Sequence, residues 1–226
     1  MSGRGSSWGR GFLKGTKVQT LGGPRKVEDL AVGDLLPTVF GGPRPIQWIA
    51  RYRHVENAPA KPAAKDLSPV RVARSALALE APRADLFLTQ GHALYLDGVL
   101  VPVGRLVNGT TITLYPADEF HELEFFHIKL AVHDVIFAEG ALCETLLNVD
   151  EDADNYSDYA RKHGTPKADE QPCAPILSCG QESSEFKPTL RSMISPWPDR
   201  RAEIDAIRDR LAERAVSRAG RLESFS

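Results

Sequence analysis

Thr89 and His92 have the residue types and spacing best suited to proton chemistry in this 226-residue sequence. They bracket the run Thr89-Gln90-Gly91-His92, which separates two strand-like stretches, Leu86–Leu88 and Ala93–Leu96. An imidazole there can give or take a proton near neutral pH. The threonine hydroxyl can donate to or accept from a backbone group beside it, and the intervening glycine lets another chain come close. The plainer alternative is that both polar groups satisfy the hydrogen bonds of a turn. Spacing alone favours that alternative.

The elements that would position this pair read as β structure. Asp97-Gly98 signals a tight hairpin returning through residues 99–101. Before it, strands are expected at residues 16–21, 34–40, 46–53 and 69–73, with turns at 22–24 and 41–45 and one helical turn at 75–79. After it come a compact turn at 103–109 and strands at 110–114, 120–132 and 135–138, with strand or loop at 141–149. Residues 57–68, rich in Ala, Pro and Lys, read as a surface loop. Two stretches echo each other: Val27 to Leu36, and Val101 to Thr110. Each leads from a strand end through a leucine-anchored turn to Gly or Asn and a new strand.

The ends differ in character. Residues 1–10, mostly Gly, Ser and Arg, read as a flexible arm. Residues 150–198 read as a linker or irregular segment: an acidic run at 150–154, a stretch at 155–163 that could form a short helix, and a proline-, serine- and charge-rich remainder. Residues 199–219 form an amphipathic helix with Ile204, Ile207, Leu211 and Ala215 on one face. It is expected to dock on its own domain, with a protein partner as the alternative.

With 28 basic against 30 acidic residues, nothing calls for nucleic acid or an anionic membrane. The absence of a signal peptide or membrane-length apolar run favours a cytoplasmic location. The three cysteines, Cys143, Cys173 and Cys179, are too few for a disulfide framework. No cofactor and no metal is expected, since no ligand cluster stands out.

Five motifs in order carry a family resemblance: Phe12-Leu13-Lys14-Gly15-Thr16, residues 27–34, residues 88–98 with the Thr-x-x-His box, residues 106–110, and residues 126–140. The series resembles the Hint (Hedgehog/intein) domain, in its bacterial intein-like branch, over about residues 11–149. The resemblance implies an all-β, pseudo-two-fold horseshoe of hairpins, here with a C-terminal helical extension. It also implies self-processing, by autoproteolysis or protein splicing, with the chain's own N-terminal peptide bond as substrate. In such domains the first residue, usually Cys, attacks the preceding carbonyl. Thr89 and His92 would hold and polarise that amide, and His92 would protonate the departing amine. His127 is the candidate second acid or base, with His133 and Asp134 as alternatives.

The sequence departs from this pattern at both ends. Gly11 occupies the nucleophile position and offers no side chain. Asn148 lacks the preceding His and following nucleophile that splicing uses, so an ordinary turn residue is expected there. The resemblance and its two departures together imply at most a single-turnover self-cleaving domain, impaired in its acyl shift. The alternative is a non-catalytic scaffold that binds a partner through its C-terminal segment.

Overall fold

The computed structural model describes residues 11–55, 68–116, 122–149, 151–166, 170–177 and 200–223. Fourteen strands are described: β1 Phe12–Leu13, β2 Lys17–Thr20, β3 Gly23–Lys26, β4 Leu35–Leu36, β5 Arg44–Pro45, β6 Trp48–Val55, β7 Val70–Val72, β8 Leu86–Leu88, β9 Ala93–Leu96, β10 Val99–Pro102, β11 Ile112–Leu114, β12 Glu122–Lys129, β13 Val135–Ala138 and β14 Ala141–Glu144. Two helices come after them, α1 Tyr156–His163 and α2 Arg200–Glu223. The strands form two six-stranded sheets, ordered β11-β7-β8-β1-β12-β6 and β10-β9-β14-β13-β2-β3, and β4 pairs with β5. Among the described residues every pairing between these strands is antiparallel, and both helices follow the last strand, so the all-β reading with a C-terminal helical extension holds.

The internal echo has a structural counterpart. Hairpin β2–β3 and hairpin β9–β10 flank the central hairpin β13–β14 on opposite sides of one sheet. Each outer hairpin runs into a short 3-10 turn, Val27–Asp29 or Val103–Leu106, pinned by a buried valine. The tip of β9–β10 is the predicted Asp97-Gly98, both with positive φ (49° and 90°), the mirror-image turn that suits the twist of paired strands. Glu139-Gly140 does the same for β13–β14.

Several local expectations change. Residues 23–26 extend from the predicted turn into β3, because Val18 and Arg25 fall into register across the hairpin. The strand expected at 34–40 shrinks to Leu35–Leu36. The chain beyond it instead loops over Asp134, whose carboxylate accepts from Thr38 Oγ1 (2.9 Å), Phe40 N (3.0 Å) and Arg44 Nε (3.1 Å). No helical turn forms at 75–79, since Ser75 takes a left-handed φ of 58° that breaks a right-handed turn. The loop expected at 57–68 lies almost wholly outside the described residues, as do the arm 1–10 and Cys179.

Segments after residue 149 close both sheets. At the edge strand β6, Asp154 and Asn155 accept the amides of Arg53 (2.7 Å) and Arg51 (3.0 Å). Tyr159 of α1 lies against Trp48, ring centroids 5.0 Å apart. At β10, an edge strand of the other sheet, Leu100 N donates to Pro175 O and Leu177 N to Leu100 O, both at 2.8 Å. Helix α2 buries Ile204, Ile207 and Leu211 in the main core cluster, and Arg208 Nε donates to Arg105 O at 2.7 Å. Its predicted apolar face is thus used within the chain. No helix among the described residues is long and apolar enough to cross a membrane.

Candidate active site

Strand β1 is only two residues long, yet it sets the site. It lies between β8 and β12, with Phe12 opposite Leu88 on one side and Phe126 on the other. Carrying those antiparallel registers back one residue sets Gly11 between Thr89 and His127. The hydrogen bonds agree on the Thr89 side. Gly11 N donates to Thr89 Oγ1 at 2.9 Å, and Thr89 N donates to Gly11 O at 3.1 Å. The Thr89 hydroxyl therefore holds the nitrogen of the peptide bond that joins residue 10 to residue 11.

The turn Thr89–His92 is closed by His92 N donating to Thr89 O at 3.0 Å, and it is tied to the 3-10 turn after β10 by Val103 N donating to His92 O at 2.8 Å. This folding directs the His92 ring inward, where it is fully buried. Its ring centroid lies 4.5 Å from that of Phe12 and 4.8 Å from that of His127, which is also fully buried. Gly11, Thr89, His92 and His127, named from the sequence, thus come together. His133 and Asp134 separate from them in different ways. His133 faces Glu144, with Nε2 3.7 Å from the carboxylate. Asp134 serves the 38–44 loop.

Gly11 is enclosed by main chain. A Cβ built on it would stand 2.8 Å from Phe126 O, 3.1 Å from Phe126 C and 3.2 Å from Phe126 N. Those atoms belong to β12, which is paired along its whole length with β6 and cannot swing aside as a side-chain tip could. The glycine is required by close approach, not by backbone dihedral.

One residue escaped the sequence reading. Glu144, at the end of β14, is almost completely buried. It accepts from Ala93 N at 2.9 Å, and its carboxylate lies within 4.8 Å of a ring nitrogen of both His92 and His127. A carboxylate closing an otherwise apolar strand, Ala141-Leu142-Cys143-Glu144, was the only available signal. Cys143 next to it is fully buried, and burial, helped by the neighbouring Glu144 charge, pushes its thiol far above the ordinary range. Asn148 is exposed, beyond the end of β14.

Residues 10–150 match the family described as Hint domain. The chain belongs to the Hint domain family. Three solved structures are similar to it at low identity. The gp41-1 intein crystal structure matches at 13% identity and a TM-score of 0.43, over 60% of this chain and 98% of that one. The solution structure of a bacterial intein-like domain from Clostridium thermocellum matches at 13% and 0.42, over 62% and 100%. The MchDnaB-1 intein matches at 14% and 0.39, over 60% and 99%. No curated protein matches the chain.

Proposed function

We propose that this Hint domain descends from self-processing proteins and has lost the acyl shift at its first residue. The observation that carries this reading is the packing of Gly11. An acyl shift needs a thiol or hydroxyl on residue 11 to form a bond to the preceding carbonyl carbon and expel the residue-11 nitrogen. Glycine supplies no such group, and the Phe126 main chain occupies the space where its Cβ would begin. The accessory groups remain: the Thr89 hydroxyl on the Gly11 amide, and two imidazoles nearby. A polarised amide without a nucleophile is stable on the scale of protein lifetimes, so the chain persists as a folded unit. Asn148 offers no second route, since it is exposed and lacks the preceding His.

A partner-binding role for residues 150–226 would have to use surfaces other than Ile204, Ile207 and Leu211, which the core takes up. Intact mass spectrometry of freshly purified chain, with and without dithiothreitol or hydroxylamine, tests the proposal. One species at the full 24.8 kDa is expected under every condition. Fragments ending at Arg10 or at Asn148 would overturn it.

A further inference from the structure

We propose that residues 170–177 are a strap that positions the buried Glu144 carboxylate through the ring of His133, and so sets the electrostatics around His92 and His127. The segment Glu170-Gln171-Pro172-Cys173-Ala174-Pro175-Ile176-Leu177 carries two prolines, which favour extended chain at themselves and at the residues before them. It is fastened at three places. At its start, Glu170 pairs with the Lys129 ammonium, which is buried and also donates to Leu147 O at 3.1 Å. The pair gives a buried charge its counter-charge. At its end, Ile176 lies beside Leu100 in a parallel bridge, and Ala174 and Leu177 are buried. Between these anchors, Cys173 N–H donates to His133 Nδ1 at 3.0 Å.

The middle bond fixes a proton. A ring nitrogen that accepts a hydrogen bond carries no proton, so the His133 proton sits on Nε2. That nitrogen lies 3.7 Å from Glu144 Oε2. The distance is too long for a strong hydrogen bond, but the N–H dipole still attracts the carboxylate. The other tautomer would present a lone pair there, which repels it. Both residues are almost fully buried, at 2 and 1% exposure, so water screens little of the difference. Ala93 N–H holds the other oxygen, Oε1, at 2.9 Å. The carboxylate therefore lies between two N–H groups, one fixed by β9 and one set by the strap.

The same carboxylate comes within 4.8 Å of a ring nitrogen of both His92 and His127. Two side chains, His133 and Glu144, thus link the strap to the imidazoles beside Gly11. Cys173 and Glu170 are positioning residues in this scheme, since neither touches the Gly11 amide. The strap lies beyond residues 10–150, the part that matches the Hint domain family, so this control is an addition to the domain. It stands whether or not the acyl shift is lost.

The test is NMR of the full chain labelled with ¹⁵N and ¹³C. In the wild type, His133 should show an unprotonated Nδ1 and a protonated Nε2. Cys173→Pro removes the N–H, whereas Cys173→Ala keeps it. The proline variant should move part of the His133 population to the Nδ1–H tautomer. It should also shift the Glu144 carboxylate ¹³C signal and the ring ¹⁵N signals of His92 and His127. The alanine variant should leave all of these as in wild type. Glu170→Gln, which loosens the first anchor, should shift the same nuclei in the same direction but less far. His163, exposed on α1, should stay unmoved throughout. Because a proline there can disturb folding, the wild-type tautomer and Glu170→Gln provide tests without it. A wild-type His133 protonated on Nδ1 would overturn the proposal. So would unmoved Glu144, His92 and His127 signals in Glu170→Gln or in folded Cys173→Pro, or equal shifts in the proline and alanine variants, which would mark packing alone.

Discussion

Thr89 serves Gly11 through one hydroxyl, and that bond can be tested in isolation. Thr89→Val keeps the shape and removes the acceptor, leaving the Gly11 amide without the partner it now has at 2.9 Å. We expect a loss of about 1–3 kcal/mol in urea unfolding, and Thr89→Ser should recover most of it. Asp134 presents a larger case, since its buried carboxylate holds three groups of the 38–44 loop and the amide of Val135. Asp134→Ala should cost about 2–4 kcal/mol by the same measurement. The thiols provide a pH-dependent check. Burial raises Cys143 far beyond the ordinary thiol range and pushes Cys173 up to about 11. Mass-mapped labelling at pH 8 should leave Cys143 unmodified until denaturant is added. At this scale the sequence was legible where chemistry is local. Thr89 and His92 lie three residues apart in one turn, so their types and spacing sufficed to single them out. His127 could be named only through the family pattern. Glu144 could not, because it meets His92 across 52 positions of chain, and only the long-range pairing of β14 with β9 brings them together.

Among the elements, hairpins signalled by glycine turns and alternating apolar residues were readable, and β9–β10 is the clearest. Strand β1 was not, since two residues carry no periodicity; β8 and β12 define it from outside. Its attachment has an electrostatic component. Lys14 donates to Glu124 at 2.8 Å, and that bond, helped by the Lys14 and Arg53 charges against the opposing effect of burial, holds the Glu124 carboxyl below its ordinary value of 4.5. A carboxyl depressed in the folded state stabilises it fully above the unfolded value and loses that contribution as pH falls through the folded one. Urea midpoints measured from pH 6 to pH 3 should therefore show an advantage of wild type over Lys14→Met that is complete above about pH 4.5 and fades below it. Equal midpoints throughout would remove the ion pair from the account.

For the whole molecule, the Hint-type sheets and the later segments make one folding unit. The edges of β6 and β10 are covered by residues 154–155 and 175–177, and α2 contributes to the main core. The amphipathic pattern announced α2, and its apolar face announced that it docks. Where it docks could not be read, because a stripe of Ile and Leu fits many apolar surfaces. Leu211→Ala should cost about 2 kcal/mol, the low end for a buried leucine, since this site lies at the core's margin. The unfolding transition should remain single.

The central claim is that the main chain of β12 excludes a side chain from position 11. Its most direct test is the Gly11→Cys protein, incubated with dithiothreitol at pH 8 and read by intact mass alongside its Tm. The account predicts an uncut chain and a lowered Tm, because a Cβ at 2.8 Å from Phe126 O forces the strands apart. Thiol-induced cleavage between residues 10 and 11, with Tm unchanged, would contradict it.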